Sequence, residues 1–128
     1  MYTITNNCQG FITSIVYKDR HPVEEFEALT KELNGFVKDK CLFVLSDLRT
    51  AKLCLNSEEL HKMEKIDREN RKPDVVVYEA LLCKGPLETT VSKLFSTTKV
   101  SANHNIKVFS SENDAIHWLE SYHNYSFT

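Results

Sequence analysis

The chain has 128 residues and a formal charge of −2, with 41% hydrophobic and 27% charged residues. These values fit one globular domain, 1–128, and exclude a disordered chain or one built on the clustered positive charge that nucleic acid rewards. Its three glycines, Gly10, Gly35 and Gly85, are too few and too scattered for a Walker loop or a dinucleotide fingerprint.

Tyr2 to Thr5 alternates as a short strand does, Asn6 and Asn7 mark a turn, and Phe11 to Tyr17 is rich in β-formers, so the chain opens on a predicted hairpin. Pro22 suits the first position of a helix in which Val23, Phe26, Leu29 and Leu33 recur at helical spacing, and Asn34-Gly35 ends it. The run CLFVL, Cys41 to Leu45, has the unbroken apolar character of a strand buried on both faces, and Ser46 to Arg49 is predicted to end it. A charged helix with a narrow apolar stripe follows from Ser57 to Arg71, with Asn56 as cap and Glu59 closing a capping box.

Lys72-Pro73 breaks that helix, and Val75 to Leu82 reads as a second buried strand. Val44, Leu45, Val76 and Val77 are therefore expected to be nearly fully buried on adjacent parallel strands. After the Gly85-Pro86 turn, Leu87, Val91, Leu94 and Phe95 form the apolar face of a third helix. Ile106 to Phe109 is the last strand, and Ser110 or Ser111 caps a final helix with the stripe Ala115, Trp118, Leu119 and Tyr122. Trp118 is expected to be mostly buried and the tail from His123 to be frayed. The order β-β-α-β-α-β-α-β-α predicts an α/β domain: a five-stranded mixed, largely parallel sheet covered by four helices.

No stretch is apolar for long enough to span a membrane, and MYTITNNCQG lacks the basic start and apolar run of a signal peptide, so a cytoplasmic place is expected. Cys8, Cys41, Cys54 and Cys83 form no C-x-x-C pair and are read as thiols. A phosphatase-like loop needs Arg six residues after its cysteine. Those positions hold Ser14, Asp47, Leu60 and Thr89. The five histidines show no metal-binding spacing, and His117 is read as a surface residue. A G-x-S-x-G elbow is absent. No catalytic constellation or cofactor is predicted.

The segment after the central strand is the most informative. Asp47 ends that strand, where open α/β sheets bind their ligands, and it could equally bond loop amides or pair with Arg49. Leu53 and Leu55 lie in an otherwise polar loop, where they either line a pocket for an apolar ligand or plug the core. Asp47, Arg49, Leu53, Leu55, Asn56 and Ser57 are the candidate ligand or partner surface.

Three segments resemble a known group: VLSDLR (Val44–Arg49) leading to the helix from Ser57, VVVYEALL with LETTVSKLF, and the ending KVFSSENDAIHWLESY. They resemble the small bacterial STAS-like domains, the SpoIIAA-like group related to CRAL-TRIO lipid-transfer proteins. The resemblance covers nearly the whole chain, at positions that determine the fold. It implies a STAS-like fold and a non-catalytic, regulatory role through a protein partner. The CRAL-TRIO kinship implies the alternative, a binder or carrier of a small apolar, lipid-like ligand. Homodimerisation is left open. In STAS-type anti-sigma-factor antagonists a serine at the start of the corresponding helix, in a D-S-S-G-like motif, is phosphorylated. Ser57 falls near that place, but the neighbouring Asp and Gly are missing and Glu58 and Glu59 oppose the added charge. No stoichiometric phosphorylation of Ser57 is expected.

Overall fold

The computed structural model describes residues 2–6, 11–19, 23–51, 57–70, 74–85 and 103–126. Its strands are β1 (Tyr2–Asn6), β2 (Ile12–Asp19), β3 (Cys41–Ala51), β4 (Val76–Leu82) and β5 (His104–Phe109). The helices are α1 (Val23–Leu33), α2 (Ser57–Asn70) and α3 (Glu112–Ser126). The sheet runs β1-β2-β3-β4-β5; β1 is antiparallel to β2 and every later pair is parallel. The expected helix over Leu87 to Phe95 lies outside the described residues.

Strand alternation divides the core into two layers. On one face Ile15, Tyr17, Leu42, Val44, Leu48, Val77 and Leu81 pack under α1 through Leu29, Phe26 and Leu33. Helix α2 lies beside α1, and Asn34 Nδ2 donates to the carbonyl of Asn70 at 2.7 Å, tying the two C-terminal ends together. On the other face Ile12, Phe43, Leu45, Ala80 and Leu82 pack under Ala115 and Leu119 of α3. Ser111 caps α3: its Oγ accepts from the Asp114 amide at 3.4 Å, and its carbonyl accepts the first helical bond, from Ala115.

Three expectations need correction. Strand β3 does not end at Leu45 but runs on to Ala51. Its polar residues still alternate, with Leu48 buried, and Thr50 Oγ1 donates to the Tyr17 carbonyl at 3.0 Å across a register shift in β2. Val44, Leu45 and Val77 are buried as expected, but Val76 is half-buried. It pairs with half-buried Cys41 at the N-terminal rim of the sheet. Trp118 is mostly buried, as expected, but it is not innermost: Ala115 and Leu119 take the central line of α3, and the indole lies on its flank against Phe109, with ring centroids 5.7 Å apart. The helix does not fray at His123 but continues to Ser126, because the His123 ring stacks on Phe11 at 3.9 Å and meets the edge of Phe43.

The chain enters β3 through a tight turn. Lys38 and Cys41 exchange both backbone hydrogen bonds at 3.0 Å, and the two residues between them, Asp39 and Lys40, take φ of 53° and 62°. Both centres of this turn are left-handed, as in the primed turns that usually carry Asn-Gly. The strain is confined to the N-terminal rim, and the turn sets the register: the Lys40 carbonyl accepts from the Val76 amide at 2.9 Å, starting the β3–β4 ladder.

Candidate functional site

The described part of the expected surface is the carboxyl end of β3. The Asp47 carboxylate accepts three bonds from one residue: the Arg49 amide and Nε at 3.0 Å to Oδ1, and Nη2 at 2.8 Å to Oδ2. The Asp47 side chain is 19% exposed and that of Arg49 41%. Burial by itself raises the Asp47 carboxyl, but the hydrogen bonds from the guanidinium and the amide, with the charge of Arg49, outweigh it and hold the group below its ordinary value. Arg49 is held further up, first by its bond to Asp47 and then by Asp47 and Glu112 as nearby negative charges.

The guanidinium is thus fixed in a side-on bidentate pair and not left to wave in solvent. Ser57 starts α2, as expected, while Leu53, Leu55 and Asn56 lie outside the described residues.

A pH dependence follows from the Asp47 shift. A carboxylate whose folded pKa is depressed stabilises the fold above its unfolded pKa, and that contribution is lost as pH falls through the folded value. Arg49→Leu is therefore expected to lower the urea midpoint above about pH 4 and to leave it unchanged at the acid end. An equal loss at every pH would assign the effect to packing of the arginine stem.

Sequence reasoning missed a second polar cluster, on the α1 face. Ser46 Oγ donates to Glu79 Oε2 at 2.8 Å, and His104 Nε2 lies 2.8 Å from Glu79 Oε1. The three residues come from β3, β4 and β5 and lie on diagonal neighbours of the ladder, since Glu79 is paired with Val44 and Ile106. A signal for it was present: Glu79 interrupts the apolar run VVVYEALL, and a carboxylate within a doubly covered strand must find partners.

The residue types suggest a hydrolytic triad, but the order excludes one. The serine hydroxyl donates to the carboxylate and not to the imidazole, and Ser46 is 1% exposed. Glu79 and His104 border a cavity of about 40 Å³ between the sheet and α1, whose other walls include Tyr17, Phe26, Leu29 and Leu33. Among the described residues no group of three or more metal-ligating side chains comes together, and His117 is exposed, as read from the sequence. Cys41 and Cys83 are thiols; burial, and then the charge of Asp39, pushes Cys41 up.

No family model and no curated protein matches the sequence. Solved structures do match its fold. An uncharacterised protein of the DUF3478 family with a SpoIIAA-like fold, from Shewanella loihica PV-4, is 18% identical with a TM-score of 0.61, over 93% of this chain and 92% of that one. The anti-sigma factor antagonist SpoIIAA in its unphosphorylated form is 15% identical with a TM-score of 0.55, over 94% and 98%. An anti-sigma factor antagonist from Mycobacterium paratuberculosis is 14% identical with a TM-score of 0.54, over 94% and 95%. At these identities the likeness is one of architecture, and it agrees with the sheet and helices described above: the chain has a SpoIIAA-like, STAS-type α/β fold.

Proposed function

We propose that this chain is a non-catalytic, regulatory interaction domain, 1–128, whose partner is a protein that docks at the carboxyl end of β3. The observation that carries the reading is the Asp47–Arg49 pair: a partly exposed guanidinium fixed by two hydrogen bonds to a carboxylate that also accepts from the Arg49 amide, near the end of the central strand. A fixed arginine is a preorganised interface anchor, since little side-chain entropy remains to be lost on docking. The fold likeness to two anti-sigma factor antagonists supports the same class of role, and the order of the Ser46, Glu79 and His104 bonds speaks against hydrolysis. We include Leu53, Leu55, Asn56 and Ser57 in the proposed surface. No described helix is long and apolar enough to cross a membrane, and we place the domain in the cytoplasm.

The carrier alternative has less support. Drug-sized ligands occupy about 300–1,000 Å³, whereas the cavity between the sheet and α1, among the described residues, holds about 40 Å³. The test is affinity capture from the native host with the wild-type chain and with Arg49→Leu, followed by native mass spectrometry. A captured protein that Arg49→Leu releases is the expected result. A lipid-like mass bound to the wild-type chain, or a partner held equally by both chains, would overturn the reading.

A further inference from the structure

Asn34 and Gly35 form the only Asn-Gly pair in the chain. A glycine just after a helix usually serves there because it tolerates a left-handed backbone. Gly35 does not serve in that way: among the described residues only Gly85 is a glycine with positive φ, and Gly35 lies inside a single tight helical turn, Asn34–Phe36. Packing does not demand a glycine either, since a Cβ at Gly35 would meet nothing within 4 Å. What the glycine does supply is access. It is exposed, and with no side chain at 35 its main-chain nitrogen is open to the side chain before it. Asn34 itself is held: it is half-buried, and its Nδ2 donates to the Asn70 carbonyl at 2.7 Å, the tie between the ends of α1 and α2.

We propose that Asn34 is a site of spontaneous deamidation, latched by the α1–α2 contact and releasing that contact once it has reacted. The Gly35 main-chain nitrogen attacks Asn34 Cγ. The N–Cγ bond forms, the Cγ–Nδ2 bond breaks, and the proton of the Gly35 amide leaves with Nδ2 as ammonia. Water then opens the cyclic imide. Opening between Cγ and the Gly35 nitrogen gives aspartate; opening at the Asn34 main-chain carbonyl gives isoaspartate, whose chain runs on through Cγ. One water is consumed, one ammonia is released, and the chain gains one negative charge. While Nδ2 is bonded to Asn70 the side chain is not free to turn toward Gly35, so the reaction waits on transient opening of the α1–α2 contact. Both products break the tie. The donor is replaced by a carboxylate oxygen that meets the Asn70 carbonyl. The new charge also lies at the C-terminal ends of two helices, where the dipole opposes it. Isoaspartate further adds a methylene to the main chain just before Phe36 and Val37, which pack against the core. The site is distinct from the carboxyl end of β3 and does not rest on the partner proposed there.

The experiment incubates the purified full chain at mildly alkaline pH, folded and in urea, and follows position 34 by peptide mass mapping, with isoaspartate methyltransferase labelling as the second readout. Aspartate and isoaspartate should accumulate at 34 in both, roughly ten- to a hundredfold more slowly in the folded chain. Gly35→Ala should suppress the reaction in both without lowering the urea midpoint, because the added Cβ meets nothing. Asn34→Asp, the product made directly, should lower the urea midpoint of the folded chain. Equal rates folded and in urea would show that nothing latches the site. A folded chain still unmodified at 34 after roughly a hundredfold longer than the unfolded chain requires would show that the latch does not open. An Asn34→Asp chain as stable as the wild type would show that the tie contributes nothing. Each of these three results overturns the proposal, and so does a Gly35→Ala chain that reacts as fast as the wild type.

Discussion

Leu119→Ala is expected to destabilise the chain by about 2–5 kcal/mol, the largest effect of any single truncation in α3. Leu119 is fully buried, with Ala115 one turn before it, and the two form the line along which α3 meets Phe43, Leu45, Ala80 and Leu82. The cost combines the lost transfer of three carbons with a cavity the sheet is too stiff to close. Trp118→Ala removes a larger side chain but should cost less, about 1–3 kcal/mol, because the indole lies on the flank of the helix where water already reaches it and its remaining neighbours can shift. Urea melts of the two variants against the wild-type chain check the order. A Trp118→Ala loss exceeding that of Leu119→Ala would mean that the indole, and not the leucine, clamps α3 to the sheet.

The difference between these two residues marks what the sequence made legible. The stripe Ala115, Trp118, Leu119 and Tyr122 identifies a helix and the side it buries, since a period of 3.6 is a property of the chain alone. It does not rank positions within the stripe. Leu119 and Trp118 are one residue apart, and which takes the centre depends on how the helix is rotated over a sheet whose buried residues, Ile12, Phe43, Leu45, Ala80 and Leu82, come from distant parts of the chain.

The same reasoning covers β3. An apolar run marks its buried half, but SDLR looks like a turn until the β2 ladder at Lys18 and Asp19 draws Thr50 and Ala51 into pairing. Asp47 was expected to end the central strand, which instead runs on to Ala51, while its pairing with Arg49 was among its readings because the partners are two residues apart in the chain. The Ser46–Glu79–His104 cluster joins residues 25 and 33 positions apart, and no local pattern encodes such a meeting. Glu79 alone announced that something had to be there.

Glu79→Leu should cost about 2–4 kcal/mol, since a half-buried acceptor is removed while the buried Ser46 hydroxyl and the His104 ring stay in place. Ser46 is 1% exposed and its hydroxyl donates to Glu79, so in the variant that hydroxyl is stranded among Val44, Leu48 and Leu81 on the same face of the sheet. Ser46→Ala alone removes the donor and leaves the carboxylate with His104, at about 1 kcal/mol. In the double variant neither Ser46 nor Glu79 leaves a polar group unmatched by the other. The two losses should therefore fall short of adding by about 0.5–1.5 kcal/mol, the coupling of a buried pair. Chemical denaturation of the four chains, with a common slope against urea, measures it. Strict additivity would mean that Ser46 finds water as good a partner as Glu79. The hydrogen bond would then contribute nothing to holding β3 against β4, and the apolar layer beneath α1 would carry that contact alone.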